Sequence, residues 1–136
     1  MSKIVPLFIT ISPADPRPIV RQITDGIRMA IAGGELPVGG QLPSVRGLAQ
    51  QLTVNPKTVA KAYSDLVAEG WLNSSQGLGL FVAPPRQRLS DSERERRLNM
   101  AIDALAAEVI GLDYPIEHIL ERISAALTPF LNKRAG

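Results

Sequence analysis

Apolar residues recur at helical spacing in the first quarter of the chain. This stripe follows Pro18 and stops before the Gly33-Gly34 pair, and proline and glycine favour the start and the end of a helix respectively. The stripe consists of Ile19, Ile23, Ile27, Ala30 and Ile31. The pattern predicts a first helix over about 18–33, and the β-branched run at 3–12 predicts a short strand or an extended segment before it.

Two further helices are predicted in close succession. Ser44 is a favourable N-cap for a helix of about two turns, in which apolar residues recur at i, i+3, i+4 and i+7. After a tight turn at 53–54, Asn55 is a second N-cap, Pro56 occupies the first helical position, and Gly70 ends the helix. Two short helices joined by so tight a turn indicate a helix-turn-helix.

A hairpin is predicted immediately after these helices. The runs 71–75 and 80–82 flank Gln76, Gly77, Leu78 and Gly79, and the glycines supply the positive φ angles that a tight turn needs. A helix-turn-helix followed by a two-stranded ribbon is the layout of a winged helix-turn-helix. We therefore expect a mainly α fold with a small β-ribbon, and place its DNA-binding domain at 1–83.

The remainder of the chain carries two amphipathic helical patterns. They follow a proline-rich polar stretch at 84–91, which we interpret as a linker, and Pro115 is expected at the first position of the second helix. A two-helix unit at 92–136 is too small to enclose a core by itself, so it must pack on the first domain or on a second chain. We expect a dimerisation region with an interface built from Leu98, Ile102, Leu105, Val109, Leu112, Ile116, Ile119, Ile123 and Phe130.

Charge and composition narrow the choice of function. The chain has 136 residues, 45% hydrophobic and 21% charged, with no cysteine, which excludes disulfides and thiolate chemistry. No segment reads as a membrane span or a signal peptide, so we expect a cytoplasmic protein that does not contact the membrane. The formal charge of +2 is uneven, because residues 1–88 hold nine Lys/Arg against five Asp/Glu. The basic half coincides with the helix-turn-helix.

Enzymatic and metal-binding functions are not expected. His118 is the single histidine, and its neighbours Asp113, Glu117 and Glu121 offer at most a carboxylate-rich surface. The chain has no nucleophile elbow, phosphate-binding loop or zinc-protease signature. We therefore predict no catalytic residues, no metal and no cofactor.

The segments LPSVRGLAQQL, TVNPKTVAKAY and LVAEGWL, in this order and followed by the glycine-containing hairpin, make residues 18–82 resemble the DNA-binding domain of the GntR family of bacterial regulators. The short two-helix tail and the Asn-Pro-Lys-Thr-Val turn are similar to the YtrA-type branch. That resemblance implies a homodimer without a large effector domain.

The resemblance also implies which residues meet DNA. The base-reading arginine falls on Arg46, which lies off the apolar stripe of its helix and could pair bidentately with guanine. The full expected set is Ser44, Arg46, Asn55, Pro56, Lys57, Thr58, Lys61, Gln76, Gly77 and Gly79. Two departures, Pro56 where many relatives have arginine and Leu78 where the wing often has a basic residue, weaken phosphate contacts.

The expected function is a sequence-specific transcription regulator. We expect a homodimer on a pseudo-palindromic operator in double-stranded DNA, acting most simply as a repressor. Two alternatives stay open at this point: a winged-helix module that binds proteins, and a ligand-gated regulator with an unknown small-molecule effector held between subunits.

Overall fold

The computed structural model describes residues 4–84 and 90–135, with side chains up to Phe130. It divides into two compact units, residues 1–88 and 89–136. Most of the predicted linker at 84–91 lies outside the described residues. Among those described, no helix is both long enough and apolar enough to cross a membrane.

The first unit contains three helices: α1 (Ile19–Ala32), α2 (Val45–Leu52) and α3 (Pro56–Ala68). The predicted caps are confirmed: Ser44 Oγ accepts from Gly47 N at 2.9 Å, and Asn55 Oδ1 accepts from Lys57 N at 2.8 Å. Thr53 ends α2 in the left-handed conformation with φ +57°. Helix α3 packs against both α1 and α2, so the helix-turn-helix rests on the first helix.

The wing is an antiparallel ribbon of β1 (Leu72–Ser75) and β2 (Gly79–Val82). Its second strand also pairs with the connector before α2, because Leu42 N donates to Leu80 O and Gly39 N donates to Val82 O, both at 2.9 Å. The sequence did not predict this third partner, since the connector's glycines and prolines indicated a loop. The wing is therefore attached to the chain segment that leads into α2.

The core of the first unit combines all its elements. Its largest fully buried side chains come from the three helices, the connector and the ribbon: Ile23, Ile27, Leu36, Leu48, Val59, Leu66, Leu72 and Val82. Ile19 belongs to the predicted apolar stripe of α1 but is 44% exposed, whereas the other members of the stripe are buried. It lies in the first turn of the helix, beyond the part of the stripe that the core covers.

The N-terminal segment is extended and adds to this core. An isolated parallel bridge joins Ile4 to Gln41, and Leu7 is buried. Gln51 Nε2 donates to Leu7 O at 2.6 Å, and Val5 N donates to Gln41 O at 2.8 Å. Of the two predicted possibilities, a strand or an extended segment, the structure has the extended segment.

The second unit consists of α4 (Asp91–Val109) and α5 (Ile116–Ala135). No described residue of α4 is buried. Helix α5 begins at Ile116, one residue later than predicted. Pro115 immediately precedes the helix, and its carbonyl accepts a hydrogen bond from His118 N at 3.1 Å. Pro115 is thus outside the first helical position. The described part of this unit leaves much of its apolar surface in solvent.

Candidate nucleic-acid interface

Arg46 and Lys57 occupy equivalent places in the two helices of the helix-turn-helix. Each is the second residue of its helix, two residues after a side-chain N-cap, and each is exposed. Neither α2 nor α3 carries an acidic residue in its first turn. Because a helix N-terminus is already electropositive, cations there are unfavourable unless an anion approaches. The arrangement suits a phosphate-rich ligand.

These two cations also differ from their neighbours in lacking an acidic partner. The described range 4–84 holds six Lys or Arg residues. Four of them form ion pairs: Arg17, Arg21, Arg28 and Lys61. Within the same range Arg46 and Lys57 form none, so their charge is available to an external partner.

A buried tyrosine connects α3 to the start of α2. Tyr63 Oη donates to Pro43 O at 2.8 Å, immediately before the Ser44 cap. Burial raises the pKa of the Tyr63 phenol, which keeps it protonated as a donor. This bond fixes the N-terminal end of α2, and with it the backbone of Arg46, relative to α3.

Helix α3 has one buried face and one exposed face. Its buried residues are Val59, Ala62, Tyr63 and Leu66. Lys57 and Lys61 are exposed, and Thr58 is partly exposed beside them. Lys61 Nζ lies 2.6 Å from Asp65 Oδ1, one turn further along the same face. The exposed face therefore begins with an unpaired cation and continues with a paired one.

The wing tip is held by a residue that sequence reasoning missed. Gln41 Nε2 donates to Leu78 O at 2.8 Å. Gly77 and Gly79 have φ of +78° and +122°, and a Cβ on Gly79 would stand 2.8 Å from Gln41 Nε2. Gln76 and Leu78 are exposed at the tip. Gln41 belongs to the glycine-rich connector, where no local pattern marks it.

Three other residues predicted to contact DNA, Ser44, Asn55 and Pro56, also help to begin the two helices. The side-chain oxygens of Ser44 and Asn55 cap α2 and α3, which leaves the Ser44 hydroxyl hydrogen and the Asn55 amide group as available donors. Pro56 stands exposed at the start of α3. The three residues thus lie at the same helix N-termini as Arg46 and Lys57.

Among the described residues, no group of three or more His, Cys, Asp or Glu side chains is placed so that it could hold a metal ion. His118 instead stacks on Tyr114, with ring centroids 4.7 Å apart.

Comparison with known proteins places this fold among regulators. The family model described as bacterial regulatory proteins, gntR family, matches residues 19–82. The repressor YtrA of Bacillus subtilis (strain 168) is 37% identical over 107 residues, which cover 79% of this chain and 80% of YtrA. The pyridoxine biosynthesis regulator PdxR of Corynebacterium glutamicum is 37% identical over 67% of this chain, which spans only 20% of that protein.

Solved structures agree with this placement. YtrA from Sulfolobus acidocaldarius is 40% identical with a TM-score of 0.57, covering 72% of this chain and 97% of that one. A transcriptional antiterminator from Listeria monocytogenes EGD-e is 27% identical with a TM-score of 0.78, and the match covers 88% of this chain and 89% of that one. The AraR DNA-binding domain, solved in complex with operator ORX1, is 34% identical with a TM-score of 0.50, and the match covers 55% of this chain and 93% of that one.

These relatives and this fold are those of transcription regulators that bind DNA, and not of enzymes. The resemblance to the YtrA-type branch is confirmed by both YtrA matches. The chain is a member of the GntR family of bacterial regulatory proteins and belongs to its YtrA-type subfamily.

Proposed function

We propose that this protein is a sequence-specific transcriptional repressor that binds a pseudo-palindromic operator as a homodimer. In each protomer α3 enters the major groove, Arg46 reads a base at the N-terminus of α2, and the wing lies over the adjacent backbone or minor groove. Repression follows most simply from occlusion of a promoter. Several relatives carry the name repressor, YtrA of Bacillus subtilis among them. Because the proposed operator lies on the bacterial chromosome, the proposal also includes a cytoplasmic location.

One observation carries the DNA-binding part of this proposal. The cations without an acidic partner in the described range 4–84 are Arg46 and Lys57, and both stand at N-termini of the helix-turn-helix. A surface evolved only for solubility would have no reason to leave these two unpaired while pairing the rest. A polyanion that supplies phosphates at both helix ends accounts for this distribution.

The exposed apolar surface of the second unit supports the dimer. Leu98, Ile102 and Leu105 are 53%, 50% and 39% exposed along α4, and Ile116 is 65% exposed on α5. Helices α4 and α5 also leave a groove of about 370 Å³ lined by Leu105, Val109, Ile119 and Ile123, among others. All of these residues belong to the expected interface, and a second copy would cover them. Apolar area of this extent is rarely left in water.

Binding to duplex DNA at increasing salt tests the proposal. Neutralising phosphates releases counterions, so the logarithm of the affinity should fall steeply with the logarithm of the salt concentration. The double variant Arg46→Ala/Lys57→Ala should bind much more weakly and with a shallower slope. Absence of duplex binding by the wild-type chain at low salt would contradict the DNA-binding proposal and favour a protein-binding module.

A further inference from the structure

The recognition helix carries an acidic residue on the face proposed to meet DNA. Asp65 lies two turns after Lys57, and its carboxylate is 2.6 Å from Lys61 Nζ. The side chains are 33% and 64% exposed, so the pair stands at the surface within reach of a ligand on α3. A carboxylate near phosphates is electrostatically unfavourable, which calls for an explanation of its presence.

Helix stabilisation is a poor explanation for this ion pair. At i and i+4, an acid that precedes a base stabilises a helix more than the reverse order, because the order then agrees with the helix dipole. Here Lys61 precedes Asp65, which is the less favourable order. The helix α4 shows the better order, with Glu93 preceding Arg97 at 3.1 Å. The pair on α3 therefore adds little to the stability of its helix.

The pair does change what α3 offers to DNA. Lys57 presents a full positive charge at the first turn, whereas the charge of Lys61 is matched by Asp65. A phosphate that approaches Lys61 must displace the carboxylate or accept it nearby, so the net gain from that contact is small. Electrostatic attraction to any duplex is thereby concentrated at the N-terminal ends of α2 and α3, beside Arg46.

We propose that Asp65 is a specificity-determining residue, which lowers sequence-independent affinity by matching the charge of Lys61. The inference rests on the proposed DNA-binding function of α3. The useful quantity for a regulator is the ratio of specific to non-specific affinity. On a selected duplex base contacts fix the position of α3, whereas on a random duplex α3 can move to whichever phosphates its cations reach. Matching the charge of Lys61 therefore weakens binding to random duplex more than binding to the selected one, and raises specificity without any new base contact. Asp65 acts through Lys61 and need not touch a base.

The test compares Asp65→Asn with the wild type on a random-sequence duplex and on a duplex selected from a random pool by the wild type. One additional phosphate neutralised per protomer should steepen the log–log salt slope by about 0.9 per protomer, or about 1.8 for the dimer, so that the affinity of the dimer falls about 60-fold more across a tenfold rise in salt. Random-duplex affinity should rise by more than affinity for the selected duplex. The matched control is Glu35→Gln, which removes an exposed acid of the same unit outside α2, α3 and the wing.

Each outcome has a defined meaning. An equal rise with Glu35→Gln would assign the effect to net charge and overturn the proposal, as would an Asp65→Asn variant that changes base preference but not random-duplex affinity. In a Lys61→Gln background, Asp65→Asn should have a much smaller effect; an undiminished effect would mean direct repulsion of phosphates and would also overturn it. Failure of the wild type to bind either duplex would instead refute the underlying DNA-binding function.

Discussion

Replacement of Arg46 by alanine separates base reading from charge attraction. The side chain is exposed and makes no hydrogen bond or ion pair with the described residues, so its removal leaves no buried group unsatisfied. Alanine is at least as good a helix former as arginine, and the change removes a cation from the electropositive first turn of α2. We therefore expect the melting temperature to stay the same or rise slightly.

The expected loss of affinity follows from the two hydrogen bonds that a guanidinium can donate to the edge of a guanine. A bidentate contact with guanine discriminates by about 1–3 kcal/mol, which is about five- to 150-fold in affinity for each half-site. Random duplex offers no matched guanine at that position, so binding to it should lose only one charge contact. Arg46→Lys should resemble alanine in specificity and the wild type on random duplex, because the ammonium keeps the charge but lacks the planar fork.

Fluorescence anisotropy with a selected duplex and a random duplex, at fixed salt, measures both quantities for the three proteins. The base preference at one position per half-site should relax in both variants. Equal loss on the two duplexes with an unchanged melt would show that Arg46 is only a phosphate contact, and the base-reading assignment would be wrong.

Three further predictions concern the other parts of the proposed interface. Lys57→Ala should flatten the log–log salt slope by about 0.9 per protomer, and by more than Lys61→Ala does, because Lys61 is already paired with Asp65; equal slopes would contradict this. A chain ending at Pro84 should sediment as a monomer and lose most operator affinity, since two linked half-sites gain from effective concentration; a dimeric truncated chain would place the interface elsewhere. Gly79→Ala should lower stability by about 1–3 kcal/mol and more than Gly34→Ala, because both have positive φ but only Gly79 faces Gln41; equal melting temperatures would refute this role of Gln41.

Local signals made much of the first unit predictable. The Ser44 and Asn55 caps, Pro56 at the start of α3 and Gly70 after its end act within a few residues of one another, so sequence alone locates the helices they bound. The division of α3 into a buried face and an exposed face follows from helical periodicity in the same way. These features depend on short-range chemistry that any chain with this sequence would share.

Long-range contacts were not predictable. Gln41 holds the wing tip through Leu78, 37 residues away, and its surroundings of glycine and proline give no sign of this bond. Ile19 fits the apolar stripe of α1 but is exposed, because periodicity identifies a face without saying how far its partner extends. For a similar reason the sequence did not predict that Lys61 is paired with Asp65 while Arg46 has no acidic partner in the described range 4–84: whether a surface cation is paired depends on rotamers that sequence does not fix.

Selection of bound fragments from a random duplex pool by the full-length protein tests the central claim most directly. If two protomers each place α3 in one half-site, the enriched sequences should contain an inverted repeat whose half-sites are separated by about one helical turn of DNA, 10–10.5 base pairs, or a multiple of it. The same selection with Arg46→Ala should lose the preference at one position in each half. A pool that shows no enrichment, or a single unrepeated site, would contradict a dimeric, sequence-specific regulator.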